Sequence, residues 1–382
     1  MSRRYIKTHS FIDFGASWAE MPASTWALLG EAVSKVEHLA NTPMAPALAL
    51  ELHQVYLAKG VAATTAIEGN TLSEEQVRQE MAGALHVPKS SAYQQQEVRS
   101  ALQAFGLVST QVLALEPMPL SLDHLTQCNA VLLSGPLPLG PEVVPGALRA
   151  HLVKVGPYTA PPAEDCAFLL SRMCAWLTAE WTDEPAMWMH HGILKAVMAH
   201  LYVAWIHPFG DGNGRTARLV EQRLLMEHGV PTVASHLLSN HYNRNRDAYY
   251  MALQRASQVG GGHIQFVTFA VQGFVDELRH QIGVIQKTRR LELWAELVTQ
   301  NVPAHGTTSD RRRAVAIAYA KFSPDVREAA LSGYYSGVSA STRARDIAAL
   351  LRANLLVKVG SEELVANLDL LYRLLPARRT LA

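Results

Sequence analysis

The chain has 382 residues, 49% of them hydrophobic and 18% charged, with a formal net charge of +1. That much apolar sequence exceeds what one compact core ordinarily holds, so two or three domains are expected. Three cysteines, Cys128, Cys166 and Cys174, form no CxxC pair, which leaves neither a disulfide framework nor a cysteine zinc site and favours buried free thiols.

The N-terminus "MSRRYIKTHSFIDFG" starts basic but lacks the apolar stretch of a signal peptide, and no apolar run reaches the roughly 18 residues that span a bilayer. A soluble, cytoplasmic protein without membrane contact is expected. Residues 25–115 read as helices: "WALLGEAVSKVEHLA", "PALALELHQVYLAKGVAATTAIEG" and "QEVRSALQAFGLV" repeat apolar residues at intervals of three and four. Gly69 and Asn70 end the second of these. Residues 134–162 are dense in Pro and Gly and hold one alternating piece, Leu152 to Gly156, which suits a loop region with a short β-hairpin. Helical spacing resumes in "CAFLLSRMCAWLTAEW" and in "HHGILKAVMAHLYVAWI", which runs directly into His207. Beyond residue 213, "GRTARLVEQRLLMEHG" is helical up to Gly229 and Pro231, and "NRDAYYMALQRAS" and "IQFVTFAVQGFVDELRHQI" supply two more helices.

The small net charge hides an asymmetry. Residues 287–382 hold 15 Lys+Arg against 9 Asp+Glu, net +6, while residues 1–286 hold 19 against 24, net −5. A division near "QKTRRLE" follows, and only the tail has electrostatics that favour an acidic surface such as DNA. Within it, "SGVSASTRARDIAALLRANLLVKVG" places Ala344, Ile347, Ala348 and Leu351 on one helical face ahead of a short strand. Helix then strand suits a winged helix, with Thr342, Arg343 and Arg345 at the start of the recognition helix; the alternative is a helical module that docks on the protein itself.

"HPFGDGNGR", His207 to Arg215, interrupts the helices with chemistry. Pro208 disfavours the α conformation at His207, so the long apolar helix should end with the imidazole at its mouth. Gly210, Gly212 and Gly214 let backbone N–H groups converge in a tight turn, and a helix starting near Asn213 adds its positive end, which builds an anion cradle. Arg215 and Arg218, three residues apart, can reach one polyphosphate. Asp211 would repel phosphates unless a cation intervenes, and Mg²⁺ resolves that conflict. The set therefore reads as phosphoryl-type chemistry: His207 as base, Asp211 as metal ligand, Gly212, Asn213 and Gly214 as anion hole, Arg215 and Arg218 as clamps. The bland alternative is a Gly-rich turn whose His and Asp cap neighbouring helices. No GxxxxGK[ST] and no kinase signature is present. His190, His191, His200 and His207 lack an HExxH or a carboxylate partner, and His200 reads as a packed, hydrogen-bonded histidine.

From His207 to Arg218 the chain resembles, without departure, the Fic-family signature HPFx(D/E)GNGRxxR. "TTAIEGNTLS" resembles the family's inhibitory motif (S/T)xxxE(G/N) at Thr64, Glu68 and Gly69, "PGALRAHLVKVGPYTAPP" resembles its flap, and "NRDAYYMAL" the segment that closes its adenine pocket. The resemblance covers roughly residues 50–285 and implies an all-α Fic-fold bundle with a small β-hairpin flap, followed by a winged-helix-like C-terminal domain. The implied division is a helical region over 1–115 carrying the inhibitory helix, a catalytic core over 116–285 and the C-terminal domain over 286–382.

It further implies transfer of AMP from ATP to a Ser, Thr or Tyr hydroxyl of a target protein. On this chain His207 would deprotonate the hydroxyl and Asp211 would hold Mg²⁺. The Gly212–Gly214 backbone and Asn213, with Gly210, would bind phosphate oxygens, Arg215 the β-phosphate and Arg218 the γ-phosphate. Tyr249 and Tyr250 would line the adenine site, and Val153, Lys154, Val155 and Gly156 would align the target by strand addition. Many relatives carry an Asn just after the Tyr pair, where this chain reads "RAS" with Ser257, which leaves the adenine side least defined.

Glu68 ends its helix where a carboxylate opposes the dipole by ~0.3–1 kcal/mol, which suggests a cation elsewhere. The resemblance supplies Arg218 as that partner and autoinhibition as the consequence. Competing readings are removal of AMP from a modified protein, with Glu68 positioning water, and a DNA-binding regulator whose core only senses nucleotide. A homodimer is left open.

Overall fold

The structure is a computed structural model that describes residues 3–15, 18–42, 46–114, 119–179, 185–257, 262–302, 306–360 and 363–374. The sequence-based boundary at 115/116 and the last two residues, 180–181, of the stretch "CAFLLSRMCAWLTAEW" lie outside these. In chain order the helices are α1 Tyr5–Thr8, α2 Ala23–Ala40, α3 Pro46–Ile67, α4 Glu74–Met81, α5 Ala92–Val112 and α6 Leu122–Leu132. A hairpin follows, β1 Lys154–Val155 and β2 Tyr158–Thr159, then α7 Cys166–Ala179, α8 Trp188–Ile206, α9 Asn213–Glu227, α10 Leu237–Arg244, α11 Arg246–Ala256 and α12 Gly262–Asn301. The remainder is α13 Thr307–Lys321, α14 Pro324–Tyr334, α15 Ala340–Arg352, β3 Leu356–Val359, β4 Glu363–Ala366 and α16 Asp369–Leu374. The chain packs as two compact units, Met1–His280 and Gln281–Ala382.

In the first unit α8 is apolar on every side, from Ile193 and Leu194 to Trp205 and Ile206. Such a helix has no face for solvent and sits at the centre. α9 lies along it, and α3 packs against α4, α5, α9 and α10. Full burial of a side chain such as Leu52, Val61 or Ile67 contributes about 1.5–3 kcal/mol. That outweighs the modest helix propensity of the adjacent Thr64 and Thr65, so packing rather than propensity holds the end of α3 over the start of α9.

Several helices escaped the periodicity reading, α4 and α6 among them. α4 is only eight residues long, yet its start is written in the sequence: Ser73 accepts from the Gln76 N–H and the Gln76 side chain returns the bond to Ser73, a capping box. α6 begins at Ser121, whose hydroxyl accepts from the His124 N–H. The flap is shorter than the alternation Leu152 to Gly156 implied, with Lys154 opposite Thr159 and Val155 opposite Tyr158 around a Gly156-Pro157 turn. α12 runs for 40 residues straight through "QKTRRLE". A charge shift marks composition there, but nothing between Gly283 and Asn301 breaks a helix.

The second unit has its own core around Trp294, Val315, Leu331, Leu350, Leu355 and Leu356. The Trp294 indole donates to the Ala316 carbonyl at 3.0 Å, and the buried Asp346 accepts from Arg311 and Arg312 at 2.7 and 2.8 Å. Three helices, α13 to α15, precede an antiparallel hairpin, β3 with β4. The three cysteines are free and buried. No described helix is long and apolar enough to cross a membrane.

Candidate active site

α8 stops where Pro208 requires it. His207 caps it in the left-handed region, φ 48° and ψ 58°, with its N–H still bonded to Val203 at 2.9 Å. That conformation, uncommon for a residue other than glycine, swings the imidazole out of the helix line. Its Nδ1 lies 3.4 Å from the Ala204 carbonyl, so the proton belongs on Nδ1 and the Nε2 lone pair faces outward. Burial, helped by the nearby Arg149 charge, pushes the His207 pKa down to about 4 against the opposing Ala204 carbonyl, Glu68 and Asp211. The ring is neutral at pH 7, the form a general base requires.

The loop beyond His207 is held by side chains from its own turn and from α6. Asn213 clasps Phe209 with both ends of its amide, accepting from the Phe209 N–H and donating to its carbonyl, each at 2.9 Å. Asn129, fully buried on α6, donates to the Asp211 carbonyl at 3.0 Å and accepts from the Gly146 N–H at 2.9 Å. Gly212 takes φ 74°, a left-handed turn that sets the first turn of α9. Its N–H bonds the Asp211 carboxylate. The first-turn N–H groups of Asn213, Gly214 and Arg215 have no carbonyl of their own helix to meet, and they form the positive end of α9. The sequence reading assigned Asn213 to phosphate; its side chain is committed to the loop, and what it presents is its backbone N–H.

Glu68 reaches this end of α9. It follows the last residue of α3, with Gly69 turning at φ 102°, and its Oε1 accepts from Arg218 at 2.6 Å. Arg218 is 2% exposed and also donates through Nε to the Thr64 hydroxyl at 2.9 Å and to the Thr64 carbonyl at 3.0 Å. A Cβ on Gly214 would collide with Glu68 Oε1. The carboxylate therefore sits against the first turn of α9, where an anion is best stabilised. Burial raises the Glu68 pKa, but Arg218, with Arg215 and His207, outweighs it and holds the group below the usual carboxylate range.

Arg215 is a buried cation with spare donors. Its nearest carboxylates, Glu97 and Asp211, stand at 3.6 Å, beyond hydrogen-bond distance. Its Nε and one terminal nitrogen are buried without a hydrogen-bond partner among the described residues. Asp211, about half exposed, is the one carboxylate of the loop. No group of three or more metal-ligating side chains occurs among the described residues. A single exposed carboxylate beside an anion cradle suits Mg²⁺, which is commonly held by one carboxylate, water and substrate phosphates.

These groups border a cavity of about 370 Å³ lined by Glu68, His207, Gly214 and Arg218 on one side. The flap residues Val155, Gly156, Pro157 and Tyr158, the α11 residues Tyr249, Tyr250, Leu253 and Gln254, and Ser257 just beyond α11 close the other. Gly210, Asp211, Asn213, Arg215, Val153 and Lys154 lie beside it rather than in its wall. The two tyrosines part company. Tyr250 is 43% exposed, whereas Tyr249 is 2% exposed and turns its hydroxyl inward. His200, as read from the sequence, is packed and bonded, its Nε2 lying 2.9 Å from the Tyr249 hydroxyl.

Several site residues were missed. Arg149 is buried and staples the flap to the end of α8, donating to the carbonyls of His207, His151 and Pro161 at 2.7, 2.7 and 2.6 Å. Tyr158 adds a bond to the Trp205 carbonyl at 2.6 Å. Arg246 and the Tyr250 hydroxyl, both on α11, donate to the Ile67 carbonyl at the end of α3. An arginine in a flap otherwise poor in charge was the available signal for Arg149; Tyr158 and Arg246 had none in the local sequence, and Tyr250 was read from it only as an adenine contact.

Known proteins share this fold. Residues 119–225 match the Fic/DOC family. That segment is a Fic domain. Over 223 residues the chain is 30% identical to protein adenylyltransferase fic-1 of Caenorhabditis briggsae, covering 58% of this chain and 41% of that protein. Protein adenylyltransferase Fic of Culex quinquefasciatus is 30% identical over 229 residues, covering 60% and 40%. The chain thus spans about two fifths of the length of these curated relatives. A solved structure of Fic-1 from Caenorhabditis elegans superposes with a TM-score of 0.56 at 25% identity, covering 70% of this chain and 74% of that one. A Fic family protein from Desulfovibrio desulfuricans G20 shares the fold, with a TM-score of 0.56 at 19% identity over 91% and 96% of the two chains.

Proposed function

We propose that the chain transfers AMP from ATP to a side-chain hydroxyl of a target protein and that Glu68 holds this activity down. The carrying observation is the convergence of a neutral His207, the Arg218 guanidinium and the positive end of α9 on one cavity, with a carboxylate already lodged against that end. His207 Nε2 takes the proton of the incoming Ser, Thr or Tyr hydroxyl as its oxygen bonds the α-phosphorus. The bond from the α-phosphorus to the oxygen leading to the β-phosphate breaks, and pyrophosphate leaves. The spare donors of Arg215 suit the β-phosphate, and Arg218 suits the γ-phosphate once Glu68 vacates it. Asp211 would hold Mg²⁺, which offsets phosphate charge.

The edge of β1 is exposed at Lys154 and Val155, which suits alignment of an extended target segment by main-chain bonds, tolerant of its sequence. Tyr250 supplies an open ring for the adenine. Residues 1–115 would carry the inhibitory helix, 116–285 the catalytic core, and 286–382 a winged-helix-like module, a reading supported by its helix-helix-helix-hairpin order.

The test is incubation of wild-type, Glu68→Gly and Glu68→Gly/His207→Ala protein with isotope-labelled ATP and a cell lysate, followed by mass spectrometry. AMP on hydroxyl side chains with the single variant, lost in the double variant, is expected. Absence of protein-bound AMP in all three would overturn the reading.

A further inference from the structure

Residues 3–14 lie against the flap. α1 is four residues long, too short to hold itself, so its place is set by contacts on either side. Ahead of it, Arg3 pairs with the buried Asp165 at 3.1 Å and lies 3.9 Å over the Phe168 ring. The Tyr5 N–H donates to the other oxygen of Asp165, also at 3.1 Å. Beyond it, Ile12 and Phe14 are buried. Phe11 meets Trp205 edge to face with ring centroids 5.0 Å apart, and Phe14 packs on Tyr202 at 4.9 Å. The segment is therefore tied to the start of α7 at one end and to the last turns of α8 at the other.

Between these anchors His9, 7% exposed, turns its ring to the hairpin. Its Nε2 lies 2.8 Å from the Thr159 carbonyl; a carbonyl only accepts, so Nε2 carries the proton and donates. Its Nδ1 lies 2.7 Å from the Thr8 hydroxyl, and the ring stands edge-on to Tyr158 with centroids 5.9 Å apart. The ladder shows what this bond covers. The Ala160 N–H bonds the Val153 carbonyl at 3.1 Å, so those two residues form a hydrogen-bonded pair. The next pair, Lys154 with Thr159, then turns its N–H and C=O groups away from each other, toward the two outer edges. On the β2 edge His9 takes the Thr159 carbonyl. On the β1 edge Lys154 and Val155 are exposed. An unpaired edge is a template for an added strand, and the segment leaves the hairpin with β1 as its open one.

We infer that residues 3–14 are a strap that occupies the β2 edge of the flap and sets the hairpin for addition of an extended target segment at β1, with His9 as the positioning residue. Arg149 holds the flanks of the hairpin through the carbonyls of His151 and Pro161, and the Tyr158 side chain ties it to Trp205; His9 acts on a strand edge. The inference rests on the transferase reading in taking the flap as the place where the target docks. His9 is not among the residues that line the cavity, so its loss should appear in capture of the target and not in binding of ATP.

The test compares full-length Glu68→Gly protein with the same protein carrying His9→Phe, which keeps a ring and removes the donor, or His9→Gln, whose amide N–H takes the place of Nε2. Hydrogen exchange read by mass spectrometry needs no ligand. Residues 152–160 are expected to exchange about fivefold faster with His9→Phe, the factor that one lost hydrogen bond gives, and to recover with His9→Gln, while α9 stays unchanged. An unchanged flap, equal acceleration in α9, or equal behaviour of the two variants overturns the inference. Transfer is read with isotope-labelled ATP and the proteins of a dilute cell lysate as acceptors. The rate at limiting lysate protein should fall about fivefold with His9→Phe, again the order of one hydrogen bond, at an unchanged half-saturating ATP concentration, and His9→Gln should restore it. A loosened flap with an unchanged protein-limited rate overturns the docking role, as does an equal loss on the ATP side. No transfer by any of the three proteins, with the flap loosened by His9→Phe alone, would sink the transferase reading and leave the strap in place; transfer with a flap indifferent to His9 would sink only this inference.

Discussion

The Glu68 carboxylate and the Arg218 guanidinium meet at 2.6 Å across 150 residues of sequence, and the same carboxylate rests against Gly214 at the start of α9. Glu68 therefore satisfies both features that a terminal phosphate would use, a buried cation and a helix N-terminus. On the proposed function the two anions compete for this place. Glu68→Gly should raise auto-modification tenfold or more, measured as AMP incorporated per chain, and equal incorporation in wild type and variant would remove the competition.

The same pair has a pH signature. The folded Glu68 carboxyl lies below its ordinary range, so it contributes stability that is full above the unfolded value of about 4.3 and is lost as pH falls through the lower folded value. Because the carboxylate is about one third exposed, its removal should cost about 1–3 kcal/mol at pH 7, between surface and buried pairs. Urea unfolding of wild type and Glu68→Gly should show a gap that is constant from pH 6 to 8 and closes below about 4. Saturating ATP should narrow the gap at pH 7, since Arg218 gains a new partner.

His207 is expected to act as base well into acid. With its pKa near 4, kcat/KM should be flat from pH 8 down to about 5 and fall below that, rather than near the 6.5 of a free imidazole. Removing Glu68, whose charge raises this pKa, moves the limb lower still. A pH-rate profile in the Glu68→Gly background measures it, and a limb near 6.5 would show an exposed, protonatable ring. His207→Ala should retain ATP binding and lose transfer.

Nine contiguous residues made the centre of the site legible, because Pro208 and three glycines prescribe a backbone and the backbone prescribes an anion cradle. α8 was legible for a similar local reason, an apolar run with no polar face. What the sequence concealed is long-range and polar. The bond of Arg149 to the His207 carbonyl, the clasp of Asn129 on the Asp211 carbonyl and the contact of His200 Nε2 with the Tyr249 hydroxyl each join residues far apart in sequence, and hydrogen bonds leave no periodicity. Tyr249 and Tyr250 look equivalent side by side, yet adjacent helical positions point about 100° apart, which leaves both beside the cavity but buries Tyr249 and half exposes Tyr250. The sequence-based division at 285/286 rests on a shift in charge along a helix that runs unbroken through it.

Arg149 should separate target binding from nucleotide binding. It joins the flap to the end of α8 through three carbonyls, and loss of such bonds to a charged donor costs on the order of 3 kcal/mol in total. Arg149→Met should lower the melting temperature and raise KM for a protein target at least fivefold while changing ATP affinity by less than twofold. Equal losses in both would mean that the flap and the cradle move as one body.

Arg246 offers a graded release of the same latch. With Tyr250 it holds the Ile67 carbonyl, the last residue of α3, so α11 fixes the end of the helix whose next residue is Glu68. A cation at a helix C-terminus is favourable by about 0.3–1 kcal/mol, and its hydrogen bond adds about 1 kcal/mol. Arg246→Ala should therefore loosen the end of α3 without removing the carboxylate, and raise auto-modification several-fold, short of the effect of Glu68→Gly. Residues acting through one contact are not additive. In the Glu68→Gly background the Arg246 substitution should give no further gain, since the latch is already gone. A measured gain of the same factor in both backgrounds would show that Arg246 acts on the nucleotide pocket directly, and the coupling between α11 and Glu68 would fail.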